Sequence, residues 1–311
     1  MVCAIVLAMA FAFPVAAAAT VERSVVATRS GPVRGVVDGQ GMVFRGIPYA
    51  VPPVGDLRWR APQPVSSWRT VLDADRFGPD CMQIPFKGDA APLAGKLSED
   101  CLYLNVWTPV ADHGFPGKRP VMVWIHGGGF VNGGSSAPVF SGQAFAESGV
   151  VFVSFNYRLG RFGFFAHPSL TLDAEGAPTG NYGLLDQIAA LSWVRENIAA
   201  FGGDPDNITI FGESAGGMSV HALVTTPLAR NLFHKAIVMS GGGRELKGAP
   251  ATAAEAEAIG VGFARESGIM GEGADALAAL RALPADSVMS GLNLLSLFGT
   301  KDFTPLHVDG K

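Results

Sequence analysis

Apolar residues along the chain fall into short runs that alternate with longer segments of helical character. The runs predict strands at residues 33–37, 42–47, 103–108, 121–125, 150–156, 208–211 and 236–239, the last five of them buried. Helices are predicted at residues 184–197, 218–224, 253–267 and 274–283. Strands that alternate with helices in this order indicate an α/β fold with a doubly wound, mostly parallel sheet, preceded by short N-terminal antiparallel strands.

The most specific pattern lies where the predicted strand at 208–211 meets the next helix. Residues 210–217 (IFGESAGG) contain Gly-x-Ser-x-Gly centred on Ser214. A strand before this pattern and a helix after it predict a nucleophile elbow, a tight turn that raises a serine hydroxyl above the end of a sheet. Gly212 and Gly216 fit this turn, because side chains there would collide with the neighbouring strand and helix.

A glycine-rich loop, residues 126–130 (HGGGF), directly follows the predicted strand at 121–125. Ester hydrolysis by a serine places negative charge on the former carbonyl oxygen, and backbone N–H groups can stabilise that charge. Loss of one such donor costs about 3 kcal/mol. Three successive glycines let the backbone approach a substrate, and the N–H of Ala215 is expected to supply a further donor. A flexible surface loop is the alternative, and the neighbouring elbow disfavours it.

The sequence around these motifs resembles the type-B carboxylesterases of the α/β-hydrolase superfamily, a group that contains para-nitrobenzyl esterases, animal carboxylesterases, some lipases and the cholinesterases. The resemblance implies Ser214 as the nucleophile and Gly128, Gly129 and Ala215 as oxyanion donors, with Glu213 as the acidic neighbour of the serine. The other matching blocks are residues 44–50 (FRGIPYA), 98–107 (SEDCLYLNVW), 156–158 (NYR), 180–187 (GNYGLLDQ), 193–198 (WVRENI) and 201–205 (FGGDP).

The resemblance also predicts that part of the catalytic machinery is missing. The family needs an acid and a histidine downstream of the serine, in that order. Residues 303–310 (FTPLHVDG) are similar to the stretch that precedes the family's acid, and the sequence stops at Lys311. We therefore expect an N-terminal fragment, or the product of a frameshift or premature stop, whose missing strands leave an apolar sheet edge exposed. Low turnover is expected, because a serine without a base is a weak nucleophile near neutral pH.

None of the six histidines is expected to replace the missing base. His221 follows Ser214 by two helical turns, about 10 Å along the helix axis. His126 belongs to the glycine-rich loop, where the backbone matters more than the ring. The remaining histidines lie in predicted loops, turns or the entry to a strand: His113, His167, His234 and His307.

The N-terminus is typical of a secretory leader. Residues 1–19 are apolar and alanine-rich and end in the small residues 17–19, so the hydrolase domain is expected to span residues 20–311. A membrane anchor is the alternative, but Pro14 interrupts the run and alanine is only weakly hydrophobic. We expect a secreted or periplasmic protein without stable membrane insertion, in an oxidising compartment.

Two cysteines, Cys81 and Cys101, remain after removal of the leader. Their surroundings match the family's first disulfide pair, and closing such a loop would stabilise the fold by about 3 kcal/mol. Two unrelated buried thiols are the alternative. The resemblance also implies two internal ion pairs of structural role, with unpaired surface charges as the alternative: Arg45–Glu99 and Arg158–Asp186.

Composition narrows the classes of partner. The chain has 311 residues, is 48% hydrophobic and contains 40 glycines, which suits one α/β domain with a large core. A net charge of −4 without basic clusters argues against nucleic acid. Cysteine and histidine spacings typical of a metal site are absent from the sequence, and no cofactor is expected. The oligomeric state stays open.

The expected substrate is a small carboxylic ester. Residues 82–100, between the two cysteines, include Phe86 but no tryptophan. This argues against the cation–π recognition of a quaternary ammonium that the cholinesterases use, and favours neutral esters. Two other functions stay open: a catalytically inactive esterase-like binding or adhesion module, and the remnant of a longer gene. Adhesion relatives typically lack the serine, so Ser214 counts against the first of these.

Overall fold

A seven-stranded sheet organises the computed structural model, which describes residues 24–39, 41–109, 117–242, 252–297 and 300–309. The strands of the described residues are β1 (Val25–Ala27), β2 (Pro32–Arg34), β3 (Val36–Asp38), β4 (Gly41–Pro48), β5 (Leu72–Asp73), β6 (Asp80–Cys81), β7 (Leu97–Ser98), β8 (Tyr103–Pro109), β9 (Arg119–Ile125), β10 (Val151–Phe155), β11 (Gly203–Glu213) and β12 (Lys235–Met239). The α-helices are α1 (Gln143–Glu147), α2 (Gly160–Gly163), α3 (Pro168–Asp173), α4 (Tyr182–Asn197), α5 (Ala215–Thr225), α6 (Ala253–Glu266), α7 (Ala274–Arg281) and α8 (Ala285–Met289).

The strand order of the main sheet is β12-β11-β9-β10-β8-β4-β3. Strands β12, β11, β9 and β10 pair in parallel, whereas β8 pairs antiparallel with both β10 and β4, and β3 pairs antiparallel with β4. The predicted α/β fold, with its parallel part and its N-terminal antiparallel part, is therefore confirmed. Two smaller sheets, β1-β2-β5 and β6-β7, lie beside it.

Helices cover both faces of the sheet. Successive side chains of a strand point to opposite faces, so the neighbours of two adjacent residues identify the helix on each face. Along β9, Val123 packs into the larger core cluster, which includes side chains of α4 and α5. The next residue, Trp124, belongs to a second cluster, on the face that α1 covers through Ala146. The active-site candidates therefore lie at the end of a sheet that is packed on both sides.

The predicted strand at 33–37 is two strands in the structure. Gly35 separates β2 from β3, and its N–H donates to the carbonyl of Ser24 at 2.9 Å. A Cβ at Gly35 would lie 2.7 Å from the carbonyl oxygen of Val43, so the chain can pass here only with glycine. The β-branched run continues across this point, but β2 joins β1 and β5 while β3 joins the main sheet.

Strand β12 forms one edge of the main sheet, and its predicted burial is wrong. The side chains of Ile237 and Val238 are 44% and 38% exposed. All five residues of β10, by contrast, are buried. No further strand pairs with its outer side within the described residues.

Candidate active site

Ser214 stands between the end of β11 and the start of α5, with φ 54° and ψ −121°. Positive φ is costly for a residue with a side chain and persists only where the surroundings impose it. Two backbone hydrogen bonds do so: the N–H of Ser214 donates to Met239 at 2.9 Å, and Met218 donates to the carbonyl of Ser214 at 3.0 Å. The predicted strand-to-helix elbow is therefore present.

Close backbone packing explains the glycines around the serine. A Cβ at Gly212 would lie 2.5 Å from the carbonyl carbon of Gly216, and a Cβ at Gly216 would overlap the carbonyl oxygen of Ile125. Gly217 packs in the same way, since a Cβ there would lie 2.7 Å from the Cα of Gly241. The turn can press against β9 and the end of β12 only because these positions carry no side chain.

The HGGGF loop, which follows β9, lies directly beside the elbow. A Cβ at Gly127 would lie 3.1 Å from the Cβ of Ser214. Gly128 and Gly129 have φ values of 103° and 63°, a conformation that glycine adopts without strain. The structure thus brings this loop to Ser214 and to Ala215, the first residue of α5.

The backbone N–H groups of Gly128, Gly129 and Ala215 form no hydrogen bond with the described residues. The N–H of Ala215 is one of the first N–H groups of a helix, which have no partner within the helix. Ser214 is half-buried, and its hydroxyl forms no hydrogen bond within the described ranges.

His126, the first residue of the loop, is held away from solvent. Its ring is 1% exposed, stacks on Tyr157 with 4.4 Å between centroids, and places Nδ1 2.9 Å from the carbonyl oxygen of Gly127. Burial lowers the pKa of His126 to about 4. The ring is therefore neutral at physiological pH and serves the packing of the loop.

The other described histidines also contact residues away from Ser214. His167 caps α3 by accepting a hydrogen bond from the N–H of Ser169. His234 accepts at Nδ1 from the N–H of Ile208 at 3.2 Å. Burial lowers the pKa of His307, whose N–H donates to Asn181. His221 is exposed on α5, and His113 lies outside the described residues.

Two features implied by the resemblance are present. Cys81 and Cys101 form a disulfide with 5.0 Å between their Cα atoms. Arg158 and Asp186 form a buried two-pronged ion pair, with Nε–Oδ2 and Nη2–Oδ1 distances of 2.8 and 2.7 Å.

The expected pair between Arg45 and Glu99 is wrong. Arg45 pairs with Asp38 at 2.5 Å, since the register of the β3–β4 hairpin puts both side chains on the same face. Glu99 pairs instead with Arg58, whose Nε lies 2.8 Å from Oε2. Both charges are thus paired, but the partners are set by contacts that local sequence does not specify.

Four residues near the loop were not singled out from the sequence. Gln83 and Asn132 are buried amides that bond to each other and to the loop backbone. Leu294 and Leu297 cover Gly129, where a Cβ would lie 2.8 and 2.7 Å from their methyl groups. Only the position of Gln83 two residues after Cys81 could have drawn attention to it.

The described part of the chain offers no group of three or more His, Cys, Asp or Glu side chains arranged to hold a metal ion. Nor does it contain a helix with the length and apolar character that a bilayer crossing requires. The predicted leader, residues 1–19, lies outside the described residues.

A parallel sheet whose strand turns sharply into a helix at a serine, beside a glycine-rich loop, defines an α/β-hydrolase. The carboxylesterase family model matches residues 22–309. The chain belongs to the carboxylesterase family.

Characterised relatives share close to half of their aligned residues with this chain. The fumonisin B1 esterase of Sphingopyxis macrogoltabida is 47% identical over 252 residues, which are 81% of this chain and 45% of that protein. The para-nitrobenzyl esterase of Bacillus subtilis (strain 168) is 47% identical over 76% of this chain and 48% of its own length. A solved thermophilic para-nitrobenzyl esterase superposes with a TM-score of 0.78 at 41% identity, covering 92% of this chain and 57% of that one. The chain thus spans about half the length of these relatives.

Proposed function

We propose that this chain carries the nucleophile and the oxyanion donors of a serine hydrolase that cleaves carboxylic esters through an acyl-enzyme. The observation that supports this most directly is the position of Ser214. Its backbone is held at positive φ at the end of β11, next to Gly127 and the loop after β9. Relatives named as esterases support the same reaction class.

In the proposed first step, Oγ of Ser214 attacks the ester carbonyl carbon and its proton passes to a base. The carbonyl oxygen takes the negative charge, which the N–H groups of Gly128, Gly129 and Ala215 stabilise. The alcohol then leaves with a proton, and the acyl group stays on Ser214. Water attacks the acyl carbon in the second step, releases the carboxylic acid and returns the proton to Oγ.

The base and its orienting acid are the parts that this chain is proposed to lack. The described histidines either bond to other groups, as His126, His167, His234 and His307 do, or lie on the exposed side of α5, as His221 does. A serine whose hydroxyl has no base beside it is a weak nucleophile near neutral pH. We therefore infer that the chain alone turns over esters slowly.

The proposed substrate is a small neutral ester with an apolar group close to the reacting carbonyl. Leu294 and Leu297 give the Gly129 side of the loop an apolar wall. We further propose that the protein is exported, a location that the Cys81–Cys101 disulfide supports.

A fluorophosphonate probe tests the assignment of Ser214, because the proposed oxyanion donors also assist its addition to Oγ and the reaction is therefore expected to proceed, slowly, without the base. We expect slow labelling of the folded chain at Ser214 alone, identified by peptide mass spectrometry. Ser214→Ala should abolish labelling, whereas Ser192→Ala on α4 should leave it unchanged. Labelling of another serine, or of none, would contradict the proposal.

Hydrolysis of para-nitrophenyl acetate tests the inferred slow turnover separately. The chain alone should release para-nitrophenol far below ordinary esterase rates, which are on the order of 10 per second. Ser214-dependent hydrolysis at such rates would show that a base within this chain activates the serine.

A further inference from the structure

One glutamine side chain bridges both backbone groups of Gly133, in the loop that carries the proposed oxyanion donors. Gln83 is 4% exposed and follows β6. Its Nε2 donates to the carbonyl of Gly133 at 2.7 Å, and its Oε1 accepts from the N–H of Gly133 at 2.9 Å. The amide thus satisfies both backbone groups of Gly133, as a neighbouring strand would.

Gly133 is connected to Gly128 through Asn132. The N–H of Asn132 donates to the carbonyl of Gly128 at 2.9 Å, and its Nδ2 donates to Oε1 of Gln83 at 3.3 Å and to the carbonyl of Ile84 at 2.8 Å. The Asn132 amide nitrogen is therefore held by the same segment that holds Gly133, while its Oδ1 accepts from the N–H of Leu294 at 2.8 Å.

The backbone at Gly128 and Gly133 is closely packed. A Cβ at Gly128 would overlap the carbonyl oxygen of Asn132, and a Cβ at Gly133 would lie 2.6 Å from the carbonyl oxygen of Gly127. The backbone of residues 127–129 is thus packed directly against the backbone of Asn132 and Gly133.

Gln83 is itself fixed at its base. Its Nε2 also donates to the carbonyl of Cys81 at 3.0 Å, and Cys81 is tied to Cys101 by the disulfide. One residue earlier, the buried carboxylate of Asp80 accepts hydrogen bonds from the N–H and hydroxyl of Ser136. The segment that carries Gln83 is thus attached both to the loop that it supports and to the start of β8.

We propose that Gln83 is a positioning residue, which sets the direction of the Gly128 and Gly129 N–H groups by holding Asn132 and Gly133. The inference rests on the proposed function, because it concerns the same oxyanion donors. Such donors are effective only when they already point at the developing charge, so a support that prevents their reorientation acts on the chemical step. Glutamine suits this task because it offers a donor and an acceptor at a fixed spacing.

Hydrogen exchange measured by mass spectrometry tests the support without requiring activity. In Gln83→Met, which keeps the length of the side chain but removes both polar atoms, peptides covering residues 126–136 should exchange at least about 10-fold faster. Peptides elsewhere should change less than about twofold. Gln63→Met is the matched control, because Gln63 is exposed and, within the described ranges, its side chain bonds only to the carbonyl of Ala61. Unchanged exchange at 126–136, or equal acceleration throughout the chain, would overturn the proposal.

Gln83→Glu separates the loss of a donor from the loss of packing. A carboxylate has almost the same shape but cannot donate to the carbonyl of Gly133, whereas a protonated carboxyl can. Exchange at 126–136, taken relative to the Gln63→Met protein at each pH, should be fast at neutral pH and should slow when the glutamate is protonated. Equal protection of Gln83→Glu and the unaltered chain at neutral pH would count against the donor role.

The rate of fluorophosphonate labelling then tests whether the hydrogen bonds of Gln83 affect the reactivity of Ser214. We expect Gln83→Met to lower the maximal labelling rate of Ser214 about 10-fold, with little change in the probe concentration at half-maximal rate. Gln63→Met should change neither quantity. If the unaltered chain is not labelled at all, the proposed function fails, while the exchange measurements still decide whether Gln83 holds the loop. Labelling that is as fast in Gln83→Met as in the control would contradict the inference.

Discussion

Strands β11 and β12 are neighbours in one sheet, with similar apolar residues and the same parallel pairing, yet their surroundings differ. Ile210 of β11 is fully buried, whereas Ile237 of β12 is 44% exposed. In the pairing register, Ile210 lies beside Ala236, and Phe211 lies beside Ile237. Ile210 belongs to the larger core cluster and Phe211 to the cluster on the other face, so Ile237 lies at the margin of the face that Phe211 occupies.

The comparison shows that an apolar run of residues does not by itself determine whether the side chains of an edge strand are buried. Parallel strands are normally covered on both faces and carry near-continuous apolar runs. Strand β12 has such a run but has a pairing partner on one side only in the described structure. Substitutions should therefore change the free energy of unfolding strongly in β11, the elbow and the HGGGF loop, and only slightly in the edge strand β12.

The largest difference is expected for glycine at the elbow. Gly216→Ala should destabilise folding by about 4 kcal/mol or more, because the new methyl group overlaps the carbonyl oxygen of Ile125. Gly262→Ala is the control, since Gly262 lies within α6 and a Cβ there meets nothing within 4 Å. That change should stabilise the chain by about 0.5–1 kcal/mol. Urea unfolding measures both, and similar effects would contradict the packing described for the elbow.

The two strands can be compared directly by truncating one isoleucine in each. Ile210→Ala should lower the free energy of unfolding by about 3 kcal/mol, because it leaves a cavity in the closed core. Ile237→Ala should cost less than about 1 kcal/mol, since much of that side chain already contacts solvent. Equal losses in urea unfolding would mean that the edge is covered in solution.

The stability of the folded chain should also depend on pH through His126 of the HGGGF loop. Burial lowers the pKa of His126 from 6.5 to about 4, so between these values the unfolded chain binds more protons than the folded chain. Stability from this group is complete above pH 6.5 and is lost as the pH falls towards 4, by about 3 kcal/mol in total.

His126→Phe keeps a ring against Tyr157 and removes this proton uptake. Urea unfolding at pH 7.0, 5.5 and 4.5 should show a shallower loss of stability than in the unaltered chain. Burial also lowers the pKa values of His167 and His307, so some dependence should remain in the variant. A variant with the original pH dependence would argue against a neutral, buried His126.

The smallest effect on stability, but a visible effect on solubility, is expected at the edge. Ile237→Lys should change the free energy of unfolding by no more than about 0.5 kcal/mol. It should lower light scattering on heating, because a charge on an edge strand opposes strand pairing between molecules. Leu172→Lys on α3 replaces a side chain that is also exposed but lies outside the sheet. An equal benefit from both variants would mean that net charge, and not the edge, controls association.

Features that depend on local geometry could be predicted from the sequence. The elbow needs glycine at 212 and 216 whatever the rest of the chain does, and the pattern around Ser214 therefore indicated both the turn and its neighbours. Helix α6 begins at Ala253 as predicted, because Thr252 and Glu255 form a capping box within one turn. The disulfide was predicted only through the family resemblance.

Features that depend on distant contacts could not be predicted. The partner of Arg45 follows from the β3–β4 hairpin, and the partner of Glu99 is Arg58, 41 residues away. The support of Gly133 by Gln83 joins residues 50 positions apart. No periodicity marks such contacts, since a buried amide and an exposed amide look the same in a sequence.

The hydrogen bond from the N–H of Ser214 to the carbonyl of Met239 couples the two regions mechanically. The last residue of the outermost strand holds the serine's peptide plane in place. Any tilt or fraying of that strand would be transmitted to the reactive hydroxyl through one bond, without any change to the glycines around it. Strand β12, whose side chains are partly exposed, therefore also helps to fix the backbone orientation of Ser214.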